Sequence, residues 1–193
     1  MSRTRPLFTL ALAGITFLVS FLPDTLVYGN EDALLIESRD LTAQFGAELK
    51  AALQDAMATG GPIAAITVCK DMAPQIASML SRESGANVGR TSLKFRNPGN
   101  APEPWQAAVL KEFEATATGT SATEHFERFG KNGARYLKAI PTGALCLSCH
   151  GAVLPADVQE TLNREYPHDR ARGYNLGDIR GAFSITWPDT RND

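Results

Sequence analysis

The chain has 193 residues, 44% of them hydrophobic and 21% charged, the length and balance of one globular domain with a small appendage. With 19 basic against 21 acidic residues, its formal net charge is −2. That excludes the basic footprint of a nucleic-acid binder, and no nucleic-acid partner is expected.

Arg3 and Arg5 precede an apolar stretch, residues 7–22, with no charge until Asp24. A basic start, an apolar centre and Val27-Tyr28-Gly29 match a secretory signal over residues 1–29. Cleavage after Gly29 leaves 164 residues, with 17 basic against 20 acidic and a net charge of −3. The rival is an uncleaved anchor, because the run approaches the ~17 residues that a tilted span uses. Either way the folded part, residues 30–193, is expected in the periplasm, with no membrane insertion after cleavage.

Residues 31–59 carry Leu34, Leu35, Leu41, Phe45, Leu49, Leu53 and Met57 at helical spacing. Gly60-Gly61-Pro62 stops that helix. A second helical stretch is predicted over residues 63–70 and a third over 72–81, with Pro74 in its first turn, where a missing N–H has no partner to lose. Residues 87–96 read as extended and Asn97-Pro98-Gly99-Asn100 as a turn. Pro104 opens a helix over residues 105–117. Residues 125–129 and 134–140 form a hairpin with Asn132-Gly133 at its turn. Pro141 leads into a short helix, Pro155 starts another that runs to Glu165, and residues 181–187 form the last strand. Helices early and strands late predict an α+β fold with an antiparallel sheet.

Cys146-Leu147-Ser148-Cys149-His150 is a C-x-x-C-H run, the attachment signature of c-type haem. Two thiols three residues apart on one helical turn reach the two vinyl groups and form thioethers. The next residue then projects its imidazole onto the iron as proximal axial ligand. Export agrees, since c-type haem is attached outside the cytoplasm. The alternatives are a disulfide, half a zinc site and a thioredoxin-like pair. Zinc lacks a second ligand pair at its spacing, and the redox pair lacks a βαβ setting. The expected cofactor is one covalently bound haem c.

Cys69 is the odd cysteine, and two accounts of it stand open. It is a small hydrophobe packed beside Ile66 and Val68, or it is the distal axial ligand, since thiolate is a haem ligand. His125, His168, Met57, Met72 and Met79 are the other candidates for that position. His125 falls on a predicted strand, His168 follows Tyr166-Pro167 in a polar loop, and the methionines sit at core spacing. A haem also brings two propionates. Arg90, Lys94 and Arg96 alternate along the predicted extended segment and could neutralise them, although a solvated strand face explains the same pattern. Arg135, Lys138 and Arg180 are weaker candidates.

Larger blocks carry a resemblance. They are Val68-Cys69-Lys70 with Ala73-Pro74-Gln75-Ile76-Ala77, Gly89-Arg90-Thr91-Ser92-Leu93-Lys94-Phe95-Arg96-Asn97-Pro98, Asn100-Ala101-Pro102 and Trp105. Tyr136-Leu137-Lys138-Ala139-Ile140-Pro141 and Cys146 to Gly151 follow. The end carries Tyr166-Pro167, Asp169, Ala171, Gly173-Tyr174 and Gly177-Asp178-Ile179-Arg180-Gly181-Ala182-Phe183-Ser184. Over nearly the whole mature length the chain resembles the c-type haem domain with a PAS-like fold, long catalogued as a domain of unknown function. The resemblance implies a single covalent haem in a PAS-like antiparallel sheet with flanking helices, His150 proximal and Cys69 distal. Members also occur as sensor modules joined to transmembrane signalling domains. Here nothing follows Asp193, so a signalling output is expected on another protein.

Two axial ligands leave no open position at iron, so the chain is not read as an enzyme. A peroxidase would need an open distal site with an acid–base residue. The expected function is redox or small-ligand (gas) sensing, with reduction releasing Cys69 as a bistable element. The alternative is a periplasmic electron-transfer cytochrome, whose acidic surface would steer a basic partner. The partners expected are a redox protein or a membrane-bound signalling protein.

Overall fold

In a computed structural model, which describes residues 32–116 and 123–189, the chain starts on a long helix with one break in its backbone. The expected leader and its cleavage point lie outside the described residues. Asp32 caps this helix, α1 (Ala33–Thr67), by accepting the Leu34 N–H at 2.9 Å. The row Leu41, Phe45 and Leu49 is buried, as its spacing requires. The expected stop at 60–62 takes the form of a kink. Helical bonding resumes beyond it, but Gly61 adopts φ 65 and ψ −160, a conformation open to glycine, and Pro62 follows.

A π-helical turn comes next, over Val68–Met72, closed by the Ala73 N–H on the Val68 carbonyl. Helix α2 (Ala73–Ser84) carries Pro74 in its first turn and ends at Gly85. Met72, expected in the third helix, belongs to the π turn instead.

Four strands follow: β1 (Asn87–Thr91), β2 (Glu124–Phe129), β3 (Gly133–Pro141) and β4 (Ile179–Trp187). They form one antiparallel sheet in the order β1-β4-β3-β2, so the fold is α+β as expected. The central pair β3–β4 is covered on both faces. Ala134, Tyr136, Ile185 and Trp187 pack with α1 and α2. Leu137, Ala139 and Ala182 pack with Val109, Leu110 and Phe113 of α3 (Pro104–Thr116). Burial on both faces is why these strands show little apolar–polar alternation. Trp187 Nε1 donates to Ser38 Oγ at 2.9 Å, and Gln106 Nε2 to Ser184 Oγ at 2.9 Å, fixing one helix on each face.

Two local expectations change. The hairpin turn uses three residues, 130–132, with Gly130 at φ 58 as its left-handed residue, while Gly133 already pairs with Phe129. Three-residue loops are the next most common hairpin connection after two-residue turns such as Asn-Gly. The extended segment also ends early, at Thr91. The chain turns there because the Ser92 N–H bonds the Asn100 carbonyl and Ser92 Oγ bonds the Arg180 carbonyl. Lys94 and Arg96 therefore do not alternate with Arg90 along a strand.

Between Ile140↔Gly181 and Pro141↔Ile179 the register shifts, leaving Arg180 as the extra residue of a bulge. Gly181 beside it has φ 153, and a Cβ there would sit 2.4 Å from the Thr91 carbonyl oxygen. Helices α4 (Ala144–His150) and α5 (Ala156–Glu165) lie between β3 and β4 in the chain. Val158, Leu162 and Tyr166 form a third core with Ile66 and Leu154, against which Cys149 packs. Among the described residues no helix is long and apolar enough to cross a membrane.

Candidate functional site

The short helix α4 presents Cys146, Cys149 and His150 at one end of a cleft. All three cysteines of the chain are free thiols. His150 is buried, and its Nδ1 lies 2.7 Å from the Ala171 carbonyl oxygen. A carbonyl only accepts, so Nδ1 carries the proton and Nε2 keeps its lone pair. Burial pushes the His150 imidazolium well below its ordinary range, with Arg180 and Arg96 acting in the same direction. The ring is thus neutral and of fixed tautomer.

Later residues clamp this helix end. Tyr174 N–H donates to the His150 carbonyl at 3.0 Å and Gly173 N–H to that of Gly151 at 3.1 Å. Arg96 reaches across from the loop after β1. Its Nε bonds Asp169 Oδ1 at 3.1 Å, while one terminal nitrogen bonds the carbonyls of Cys149 at 2.6 Å and Ala171 at 3.2 Å. Asp169 also accepts from Arg172 at 2.8 Å and from the Ala171 N–H at 2.9 Å. Burial works against its charge, but Arg172 and Arg96 prevail and hold its carboxyl below the usual range.

Cys69 comes from the opposite side, on the π turn, and lines both lobes of the cleft together with His150, Arg90, Arg96 and Arg180. π turns recur where a helix must re-aim a functional side chain. The two lobes share these five residues and are open parts of one cleft. One lobe is apolar, walled by Leu49, Leu53, Met57, Ala65 and Ile66 of α1 and by Leu145 with the two motif thiols of α4. Burial raises the Cys149 thiol, Arg96 opposes the shift and a charge on Cys69 adds to it. Burial and the same Cys69 charge push the Tyr166 hydroxyl up to about 12.

The second lobe is cationic. Arg90, Lys94, Arg96 and Arg180 line it with Ser92, Asn97 and Asn100, and among the described residues no carboxylate lines either lobe. Burial and the neighbouring Arg180 both disfavour the charge on Arg90. Arg180 Nε is buried with no hydrogen-bond partner. Two confined guanidiniums without an acid between them make a seat for an anion.

Sequence reasoning named Cys146, Cys149, His150, Cys69, Arg90, Lys94 and Arg96, and the fold brings them to one cleft. Within that cleft Arg96 is bonded to protein acceptors, and Lys94 is exposed with its ammonium 4.9 Å from the Tyr174 ring centre. Arg180, a weaker candidate in the sequence, lines both lobes. Arg135 and Lys138 lie elsewhere, over the Phe129 ring and on Glu124. Of the other axial candidates Met57 lines the apolar lobe. His125 sits near Glu127, His168 and Met72 are exposed, and Met79 packs on the α1–α2 core. Asp169 and Ala171 were quoted in the sequence without a role. Their signal was only their place after Tyr166-Pro167.

A family model for Tll0287-like proteins matches residues 28–188. Among solved structures, the chain is similar to the cyanobacterial heme-protein Tll0287, with a TM-score of 0.62 and 27% identity over 81% of this chain and 98% of that one. No curated protein matches it. The family match spans every element that builds the cleft, and the chain belongs to the Tll0287-like family.

Proposed function

We propose that the chain is an exported haem protein in which one c-type haem occupies the cleft between α1, α4 and the β1–β4 edge, and that it senses redox state or a diatomic gas. The carrying observation is the pairing of two free thiols and a neutral, tautomer-fixed His150 with an acid-free arginine seat. The donor set fits the group. The apolar lobe suits a porphyrin face, and the unpartnered Arg180 Nε with Arg90 suits two carboxylates. The relative's name as a heme-protein supports the same reading. A PAS-like description agrees with an antiparallel sheet that carries its ligand cleft against flanking helices.

When bound, the haem would supply a one-electron iron couple and, in its ferrous state, a position for a small gas. His150 Nε2 would serve as the proximal ligand, because Nδ1 is engaged. Cys69 would serve as the distal one, its thiolate favouring the ferric charge. Its π turn supports sensing over simple electron transfer, since a widened turn offers another backbone arrangement once the sulfur is released.

The test is protein expressed with c-haem maturation enzymes. Haem should stay with the polypeptide through acid–organic extraction, and mass spectrometry should find one haem on the peptide with Cys146 and Cys149. An unmodified peptide overturns the reading. Cys69→Ser should keep the covalent haem, lose thiolate charge-transfer bands in the ferric spectrum and raise the midpoint potential. Unchanged spectra and potential would leave Cys69 as a packing residue. A carrier would keep the thiolate through reduction and bind no carbon monoxide; a sensor would release it.

A further inference from the structure

Arg96 is the most heavily bonded arginine in the cleft. Its side chain is only 9% exposed, and it bonds Asp169, the Cys149 carbonyl and the Ala171 carbonyl together. The last contact matters most, because Ala171 O is also the acceptor of His150 Nδ1–H. One oxygen with two lone pairs thus takes one hydrogen bond from the proximal imidazole and one from a permanent cation. Groups that hydrogen-bond the outer nitrogen of a ligating histidine fix its orientation and set its basicity.

We propose that Arg96 is a positioning residue for His150, setting the angle and donor strength of the proximal imidazole through their shared acceptor, rather than binding a haem carboxylate. The guanidinium draws electron density from Ala171 O, so that oxygen pulls less on the Nδ1 proton. The imidazole then keeps less imidazolate character and stabilises ferric iron less. The bond to the Cys149 carbonyl fixes the end of α4 that carries the ring, and Asp169 holds the guanidinium plane by pairing its Nε. A planar fork is needed for three acceptors at these separations. A single ammonium cannot divide itself as the fork does, with one terminal nitrogen on the two carbonyls and Nε on Asp169.

The proposal rests on the haem reading, and the two fail differently. A protein without covalent haem fails both, seen in the pyridine haemochrome before any potential is measured. With haem in place, Arg96→Gln should shift the oxidised-to-reduced balance about tenfold toward ferric, equivalent to ~59 mV for one electron. Arg96→Lys, which keeps the charge, should shift it in the same direction. A wild-type potential in Arg96→Lys, or a rise in either variant, overturns the proposal, because charge alone would then account for Arg96. If neither variant accumulates, the wild-type protein decides. In the diamagnetic reduced, carbon-monoxide-bound form, Arg96 terminal N–H protons should be exchange-protected and show a cross-peak to His150 Nδ1–H. Fast-exchanging Arg96 protons without that cross-peak overturn it.

Discussion

Arg90 and Arg180 line one cleft from adjacent strands, and no acidic side chain among the described residues lines it with them. Arg90 stands on β1, paired with Phe183, whereas Arg180 is the residue that the β4 bulge leaves without a partner opposite. A regular strand would send neighbouring side chains to alternate faces. The bulge breaks that rule and adds Arg180 to the wall that Arg90 already occupies.

Their repulsion yields a crossing prediction. In haem-free protein Arg180→Met should raise the melting temperature, since it removes one of two confined like charges. In haem-loaded protein the same change should lower it, since a carboxylate loses its partner. Each effect should be about 1 kcal/mol, or ~2–4 °C for a chain of this size. Calorimetry on the two forms checks the signs. Identical shifts in both would mean that the guanidinium is simply solvated.

Glu124 sets an acid limit at the opposite edge of the sheet, on β2. The Arg39 guanidinium bonds it and, against some burial, Tyr136 and Lys138 add bonds that hold its carboxyl at about 2. The folded value lies below the unfolded one of ~4.3. The stabilisation is therefore complete above that value and is lost as pH falls toward about 2. The melting temperature should drop over this window, and Glu124→Gln should flatten the drop while lowering stability at neutral pH. A wild-type slope in the variant would assign acid sensitivity to other carboxylates.

Gly181→Ala should destabilise the fold by about 2 kcal/mol or more through strain at a special backbone angle. At φ 153 the new Cβ would meet the Thr91 carbonyl oxygen at 2.4 Å and the Ser92 Cβ at 3.0 Å. Denaturant unfolding measures the loss. A midpoint equal to wild type would mean that β1 and β4 separate without cost.

Cys146, Cys149 and His150 were legible because their motif is a fixed local spacing on one short helix, and local spacing is what a sequence displays. So was the α1 break, because Gly61 and Pro62 act within their own turn. The π turn at Cys69 was hidden, since its five-residue bonding departs from a helix only once α1 and α2 are packed. Arg180 was hidden for a related reason. A bulge is a relation between two strands, and neither strand alone records it. Asp169 and Ala171 sit in an irregular loop and act largely through a carboxylate and a carbonyl. Any residue supplies the carbonyl, so only the loop's path reveals its use.

The clamp on α4 also imposes an order of events on a newly made chain. Cys146, Cys149 and His150 emerge before Asp169, Ala171, Gly173 and Tyr174, the residues that grip them. For that interval the two thiols stand on an unbraced stretch that a modifying enzyme can grasp. Once Tyr174 bonds the His150 backbone, the end of α4 is held in place, with both thiols half-exposed along the cleft. On the proposed haem reading, attachment to a braced α4 would require residues 166–174 to release it, a step that the unbraced interval would spare.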